Sequence, residues 1–252
     1  MPANQSSSKF LAAGLLSLAA CFLGACTAVT DTSTVTKTSE AQTSVAPPGK
    51  TAAEHDTALV RFVNADSLEE ALDVMTPNGD VFSNVTYRNI TPYKELPRGF
   101  TLFKMRQVGG QAELGSARLE LMPGRHYTFV GLQVPKGGSR LIGMSDNIAS
   151  LDPAEARIRL INATADVDDL DLFLGKTDRR IMHGVDAGSI TSFADVPGGT
   201  VDIRMGKQAG PVALTNLPVQ ANHLYTYIVI GRAAALDVVQ IVDQTTAAGS
   251  AP

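Results

Sequence analysis

The sequence predicts an all-β protein composed of two tandem antiparallel β-sandwich domains. The first observation is an internal repeat, because ALVRFVNA at 58–65 returns 98 residues later as ARIRLINA at 156–163. The second is a series of short runs that alternate apolar and polar residues and are separated by turn residues. The third is that no long stretch carries a helical period. Together these observations favour one β-fold that occurs twice in the chain.

The repeat extends well beyond this opening strand. LDV at 72–74 returns as LDL at 170–172, and YTF at 127–129 returns as YTY at 225–227, again 98 residues apart. Each copy then has about 90 residues, a length at which many sandwiches of the immunoglobulin-like or transthyretin-like type bury a sufficient core. We therefore expect domains at 57–147 and 155–245, joined by a short link.

Period-two alternation assigns the faces of the first strand in each copy. It places one apolar set of each strand on the core side, namely Ala58, Val60, Phe62, Ala156, Ile158 and Leu160. Phe62 and Leu160 are thus expected at equivalent places in two separate cores. The alternating positions carry Arg61, Arg157 and Arg159, which this pattern predicts to point outward into solvent.

The N-terminus has the character of a bacterial lipoprotein signal at 1–25. A polar start is followed by an apolar run too short to span a bilayer, and LGAC at 23–26 ends that run. Cys26 is the predicted lipidation site because polar residues begin directly after it, and Cys21 in LAAC at 18–21 is the alternative. More than one acyl chain on this cysteine would anchor the protein stably to a membrane. We expect an exported protein, facing the periplasm or attached to the outer membrane if the cell is Gram-negative.

Two further segments have the composition of disordered chain. Residues 26–56 are rich in Thr, Ser, Ala and Pro and predict a tether, and residues 246–252 predict a disordered tail.

The composition excludes several classes of function. A net charge of −4 gives no basic face for nucleic acid, and the absence of Trp weakens the case for a sugar-stacking platform. Both cysteines lie in the leader, so the domains have no disulfide, zinc site or cysteine nucleophile.

The most suggestive chemistry is an acidic segment at corresponding places in the two copies. Hard cations such as calcium bind several oxygen ligands from one loop, which makes these residues weak metal candidates. They are Asp66, Glu69, Glu70 and Asp73 in the first copy and Asp166, Asp168, Asp169 and Asp171 in the second. Neither segment has the 12-residue calcium-loop spacing, so a solvated loop is the competing interpretation. The sequence predicts no cofactor.

No catalytic constellation emerges from the remaining residues. His126, His183 and His223 form no ligand pair and are expected at strand edges or on the surface, and His55 lies in the tether. The serines after Gly115 and Gly188 lack the flanking glycine of a nucleophile elbow. Enzymatic activity is therefore not expected.

These motifs resemble a bacterial domain-of-unknown-function family, number 4397. The resemblance is carried by a first strand that ends in Asn-Ala, an acidic loop, an apolar-Asp-apolar strand, a Pro-x-Gly turn at 97–99 and 197–199, and closing strands that end in Asp146 and Asp243. The chain departs from the family at this polar residue, which in the family is often His and is followed by a Ser-Pro-Asp-Ala-Pro run; here it is Asn64 or Asn162, and the prolines are absent. The resemblance covers nearly all of the mature chain. It implies a sandwich-type envelope protein and brings no catalytic residues.

The sequence thus favours a lipid-anchored envelope protein with two non-catalytic modules. A binding, adhesive or structural role towards protein or polysaccharide is expected, through loops or exposed strand edges. Two alternatives stay open: a small-molecule or calcium binder that uses the acidic loops, and a hydrolase with an unrecognised site.

Overall fold

The computed structural model describes residues 42–43, 56–135, 137–146, 151–177, 179–205 and 212–244. The predicted signal peptide 1–25, with both Cys21 and Cys26, lies outside the described residues. So do His55, most of the predicted tether, most of the link between the copies, and the predicted tail 246–252.

The first repeat consists of two four-stranded sheets. After a two-residue strand β1 (Gln42–Thr43), its strands are β2 (Thr57–Ala65), β3 (Ala71–Thr76), β4 (Gly79–Thr86), β5 (Lys94–Pro97), β6 (Gly99–Gln107), β7 (Glu113–Leu121), β8 (His126–Gln133) and β9 (Ser139–Asp146). One sheet has the order β5-β2-β8-β9 and the other the order β4-β3-β6-β7.

The second repeat has the same topology. Its strands are β10 (Glu155–Asn162), β11 (Leu170–Leu174), β12 (Arg179–Val185), β13 (Ala194–Pro197), β14 (Gly199–Met205), β15 (Val212–Val219), β16 (His223–Arg232) and β17 (Ala235–Gln244). A short 3-10 helix, Gly175–Thr177, replaces the tight turn that joins β3 and β4 in the first repeat. The sheets have the orders β1-β17-β16-β10-β13 and β12-β11-β14-β15.

The predicted all-β class with two sandwiches is confirmed, and so is the duplication. Phe62 lies in the core of the first repeat and Leu160 in that of the second, each with no exposed surface. The alternation thus identified the inward set of both opening strands correctly. In the part of the chain that the structure describes, no α-helix is present, and no helix is long and apolar enough to cross a membrane.

A third apolar layer lies between the two repeats. It is formed by the sheet faces that point away from each sandwich's own core, and its buried residues are Val63, Ala65, Val130, Leu132, Ile142, Ile161, Ala163, Ile228, Ile230, Val239 and Ile241. The repeats therefore pack face to face through the sheets that contain β2 and β10.

The pairing of the strands is not purely antiparallel. β2 pairs with β8, and β10 with β16, in parallel register. Strands joined by a tight hairpin must run antiparallel, but these partners are far apart in sequence and no hairpin fixes their direction. β1 also pairs in parallel, with Gln42 opposite Ile241 and Thr43 opposite Val242 of β17. Two residues of the predicted tether 26–56 thus pair with the closing strand of the second repeat.

Candidate functional site

The strongest concentration of buried polar groups lies between the two repeats. Arg61 on β2 and Arg159 on β10 occupy the face opposite each sandwich core, yet they are only 0% and 3% exposed. The prediction that these two arginines point into solvent is wrong. The reason is that the outer face of each opening strand is covered by the other repeat. Arg157, two residues before Arg159 on β10, is only partly buried and donates two hydrogen bonds to Asp195 in its own repeat.

Arg61 pairs across the interface with an aspartate of the second repeat. Its Nη1 donates to Asp243 Oδ1 at 2.8 Å, and its Nη2 donates to Asp243 Oδ2 at 2.5 Å. Its Nε donates to Thr128 Oγ1 at 2.8 Å on the neighbouring strand β8. Two parallel N–H···O bonds to one carboxylate fix the guanidinium plane as well as its position.

Arg159 makes the reciprocal contact with the first repeat. Its Nη2 donates to Asp146 Oδ1 at 2.5 Å, its Nη1 to the Ser145 carbonyl at 3.1 Å, and its Nε to Thr226 Oγ1 at 2.8 Å. Each arginine thus bonds a threonine of its own repeat and the closing aspartate of the other. The arginine of each repeat therefore pairs with the closing aspartate of the other repeat, and the two sets of contacts lie at equivalent positions.

An aromatic ring covers each guanidinium. The Arg61 guanidinium carbon lies 4.5 Å from the ring centroid of Tyr93, and that of Arg159 lies 4.6 Å from the ring centroid of Phe193. The Tyr93 hydroxyl also donates to Asp146 Oδ2 at 2.9 Å, an interaction that Phe193 cannot make. We call these eight residues the inter-repeat cluster: Arg61, Tyr93, Thr128, Asp146, Arg159, Phe193, Thr226 and Asp243.

Burial and ion pairing have opposite effects on the pKa values of the charged residues in this cluster. Burial would raise the pKa of Asp146, but Arg159, Arg61 and the hydroxyl of Thr128 outweigh it and lower that pKa. Burial raises the pKa of the Asp243 carboxyl despite its bonds from Arg61. Burial also opposes the charge of Arg61, yet Asp146 and Asp243 outweigh it and raise the pKa of the guanidinium. The difference between the aspartates follows from their partners, since Asp146 contacts two arginines and two hydroxyls.

His126 adjoins the cluster from the first residue of β8. The prediction of a surface or strand-edge histidine is wrong for it, because the side chain is only 9% exposed. Its ring stands edge-on to Tyr93, with centroids 5.1 Å apart, and neither ring nitrogen has a hydrogen-bond partner among the described residues. The corresponding residue of the second repeat is Leu224, since the two occupy the same register opposite Asp146 and Asp243. His183 is exposed, as the sequence predicted.

Two of the eight acidic metal candidates brace the backbone of a neighbouring strand. Asp73 Oδ1 accepts the Asn84 N–H at 2.9 Å, and Asp171 Oδ1 accepts the Gly184 N–H at 2.9 Å. The residues whose N–H groups are bound, Asn84 and Gly184, have positive φ angles of 53° and 61° and lie beside irregularities in the strand register. Their second oxygens face Arg106 at 3.4 Å and Arg180 at 3.1 Å. These carboxylates therefore hold β-bulges in place.

Asp66 differs from its counterpart in the second repeat. Both Asp66 and Thr164 directly follow Asn-Ala, so the residue that matches Asp66 is Thr164 and not Asp166. Asp66 is fully buried; its Oδ1 accepts the Leu68 N–H at 3.0 Å, while its Oδ2 has no hydrogen-bond partner among the described residues. Burial, and to a lesser extent the nearby Asp66, raises the pKa of Glu69, which is partly exposed. Glu70 is exposed.

The remaining acidic candidates belong to the second repeat. Asp166 Oδ2 lies 3.9 Å from Arg232 Nη1, Asp168 Oδ1 accepts the Ala187 N–H at 3.1 Å, and Asp169 has a positive φ of 57°. Within the described ranges, no group of three or more His, Cys, Asp or Glu side chains is placed to hold a metal ion.

The outer sheet of the first repeat carries an apolar patch. Phe100 and Leu102 on β6 are 69% and 37% exposed, and the Arg118 guanidinium carbon lies 5.4 Å from the centroid of the Phe100 ring. The corresponding positions of the second repeat, the first and third residues after the glycine that opens β14, are Thr200 and Asp202. The two outer sheets therefore present different chemistry. We call Phe100, Leu102 and Arg118 the outer-sheet patch.

The described residues thus define a tandem β-sandwich protein whose repeats are joined by a shared apolar layer and an exchanged pair of buried ion pairs. The chain belongs to the family named Domain of unknown function (DUF4397), whose model matches residues 58–173 and 156–251. The predicted resemblance to this family is confirmed.

No characterised protein matches the chain at a significant level. Among solved structures it is similar to the crystal structure of a "putative cell adhesion protein" from Bacteroides uniformis ATCC 8492. That similarity has 9% sequence identity and a TM-score of 0.25, and it covers 76% of this chain and 100% of the other.

Proposed function

We propose that this protein is a non-catalytic binding module of the cell envelope, anchored by a lipid on Cys26 or, alternatively, Cys21. Its two repeats pack against each other through a shared apolar layer, and the outer-sheet patch of the first repeat contacts a protein or polysaccharide partner. The observation that carries this proposal is the 69% exposure of Phe100 on β6, a strand whose other phenylalanine, Phe103, is fully buried in the core.

Two features support binding at the outer-sheet patch. Aromatic residues and arginine are enriched in the buried centres of protein interfaces, and the attraction between an aromatic ring and a cation over it becomes stronger when a partner excludes water. The second repeat shows that the fold does not require an apolar residue here, because it carries Thr200 and Asp202 at the same places. Asp202 there accepts the Asn216 N–H at 2.8 Å, so this face of the second repeat is polar and internally bonded.

The contacts of the charged residues also favour a non-catalytic role. The buried carboxylates and arginines of the inter-repeat cluster bond one another, and Asp73 and Asp171 bond strand backbone. Catalytic acids and bases need access to a substrate, which side chains packed between two sheets do not have.

A capture experiment tests the proposal. The full chain and a Phe100→Thr, Leu102→Asp double variant, which introduces the residues of the second repeat, are each used to capture partners from cell envelopes. We expect the double variant to lose the captured species while its thermal unfolding stays close to that of the wild type. Leu68→Thr, at an exposed leucine outside the patch, is the matched control and should retain them. Undiminished capture by the double variant would exclude the outer-sheet patch as the binding surface.

A further inference from the structure

His126 is a buried histidine whose hydrogen-bonding capacity the fold leaves unused. A neutral imidazole has one N–H donor and one acceptor nitrogen, and neither ring nitrogen finds a partner among the described residues. Buried polar groups without partners are uncommon in native structures and call for a physical explanation. At the equivalent position the second repeat has an apolar residue, Leu224, which is 2% exposed.

The charges around His126 are already balanced. The inter-repeat cluster contains two arginines and two aspartates, so its formal charge is zero when all four are ionised. The charged groups that act on the imidazole are Asp146 on β9, Asp243 on β17 and Arg61 on β2, and the ring of Tyr93, just before β5, contacts it edge-on. Arg159 on β10 is the remaining charge, and it is bonded to Asp146. A proton on His126 would therefore add a positive charge for which no unpaired carboxylate remains.

We propose that His126 is an acid-sensitive latch on the contact between the two repeats. When its imidazole takes up a proton, the excess positive charge in the buried cluster weakens the exchanged arginine–aspartate pairs. The sheets that contain β2 and β10 then separate, and the apolar layer between them is exposed. This inference goes beyond the proposed binding function, because it concerns the joint between the repeats and not the outer-sheet patch.

The direction of the pH dependence follows from the environment of the imidazole. Burial lowers the pKa of His126 below its ordinary range, although Asp146 and Asp243 oppose that shift. In the separated or unfolded chain the imidazole has a pKa of about 6.5. The contact is therefore strongest above about pH 6.5 and weakens as the pH falls towards the lowered pKa. Over that window one histidine can reduce the equilibrium constant by at most about tenfold per pH unit.

The test compares the full chain with His126→Leu, the residue of the second repeat. Urea unfolding and binding of a hydrophobic dye are measured at pH 8 and pH 5.5. We expect the wild type to be less stable in urea at pH 5.5 than at pH 8, by at most about tenfold in the equilibrium constant, and to bind dye at a lower urea concentration while it keeps its β-sheet circular dichroism. The leucine variant should change much less between the two pH values. His183→Leu removes an exposed histidine and should behave like the wild type.

Two results would overturn the latch. One is an equal loss of stability and equal dye binding in the wild type and in His126→Leu at pH 5.5. The other is an imidazole of His126 that titrates near pH 6.5 in a nuclear magnetic resonance titration of the folded chain. If the leucine variant does not fold, His126→Gln serves the same purpose, because its side chain is polar and neutral at both pH values.

Discussion

Replacement of Asp243 by Asn tests whether the exchanged ion pairs hold the repeats together. Asp243 accepts two hydrogen bonds from Arg61, whose side chain has no exposed surface. The amide keeps the shape of the carboxylate but not its charge, so the guanidinium stays buried beside the more distant Asp146, 3.5 Å away. Removal of one partner from a buried pair costs about 3–5 kcal/mol, because the other charge cannot be rehydrated.

The expected loss is large enough to measure by thermal and denaturant unfolding. For a protein of this size, 1 kcal/mol shifts the midpoint by about 2–4 °C, so Asp243→Asn should lower it by about 6–20 °C. Asp195→Asn is the matched control, since Asp195 also accepts two bonds from an arginine, Arg157, but is about two-fifths exposed. That control should cost no more than about 1 kcal/mol.

A double variant separates the cost of a broken pair from the net value of an intact one. Burial raises the pKa of Asp243, which means that desolvation of its charge offsets much of the attraction to Arg61. We therefore expect Arg61→Met with Asp243→Leu to be clearly more stable than Asp243→Asn alone. If Asp243→Asn and Asp195→Asn cost the same free energy, the buried pairs do not hold the repeats together and our account of the interface is wrong.

Two further predictions concern other parts of the chain. Asp66→Thr should stabilise the first repeat by about 1 kcal/mol in urea unfolding at pH 7. Asp66 Oδ2 is buried without a hydrogen-bond partner among the described residues, whereas the hydroxyl of Thr164, at the same place in the second repeat, donates to Asn162 Oδ1 at 2.7 Å. A destabilised variant would show that Asp66 has a role which the described contacts do not reveal. Cells labelled with radioactive palmitate should incorporate label into the wild type but not into Cys26→Ser, and label retained by that variant but lost from Cys21→Ser would move the anchor to Cys21.

The sequence predicts this fold well wherever the pattern is local. Alternation along β2 and β10 identifies Phe62 and Leu160 as core residues, and the LDV and LDL segments locate β3 and β11. Turn residues such as Gly79, which has a φ of 120°, mark the ends of the hairpins. These signals depend only on neighbouring residues and on the period of a strand, so a single chain carries them completely.

The inter-repeat cluster could not be predicted in the same way. Whether Arg61 faces water or a second sheet depends on how two finished sandwiches dock, and alternation along one strand gives no information about that. A signal was nevertheless present. An arginine, a Tyr-Thr pair and a closing aspartate each occur twice at nearly the same spacing, and the arginines, threonines and aspartates of these motifs meet in the cluster, whereas Tyr127 and Tyr225 lie in the sandwich cores. The burial of His126 has no such signal, because Leu224 takes its place in the second repeat.

If the proposed lipid anchor exists, the pairing of β1 with β17 limits how far the two sandwiches can stand from the membrane. If the lipid is on Cys26, the chain between the anchor and Gln42 can extend at most about 55 Å, whereas the chain from the anchor to Thr57 could extend about 105 Å. A docked β1 therefore halves the greatest height at which the sandwiches can be held. Such an anchor would also pull on the edge of the second repeat, so that a load from the membrane would reach the sheet that contains β17 before the sheets of the first repeat.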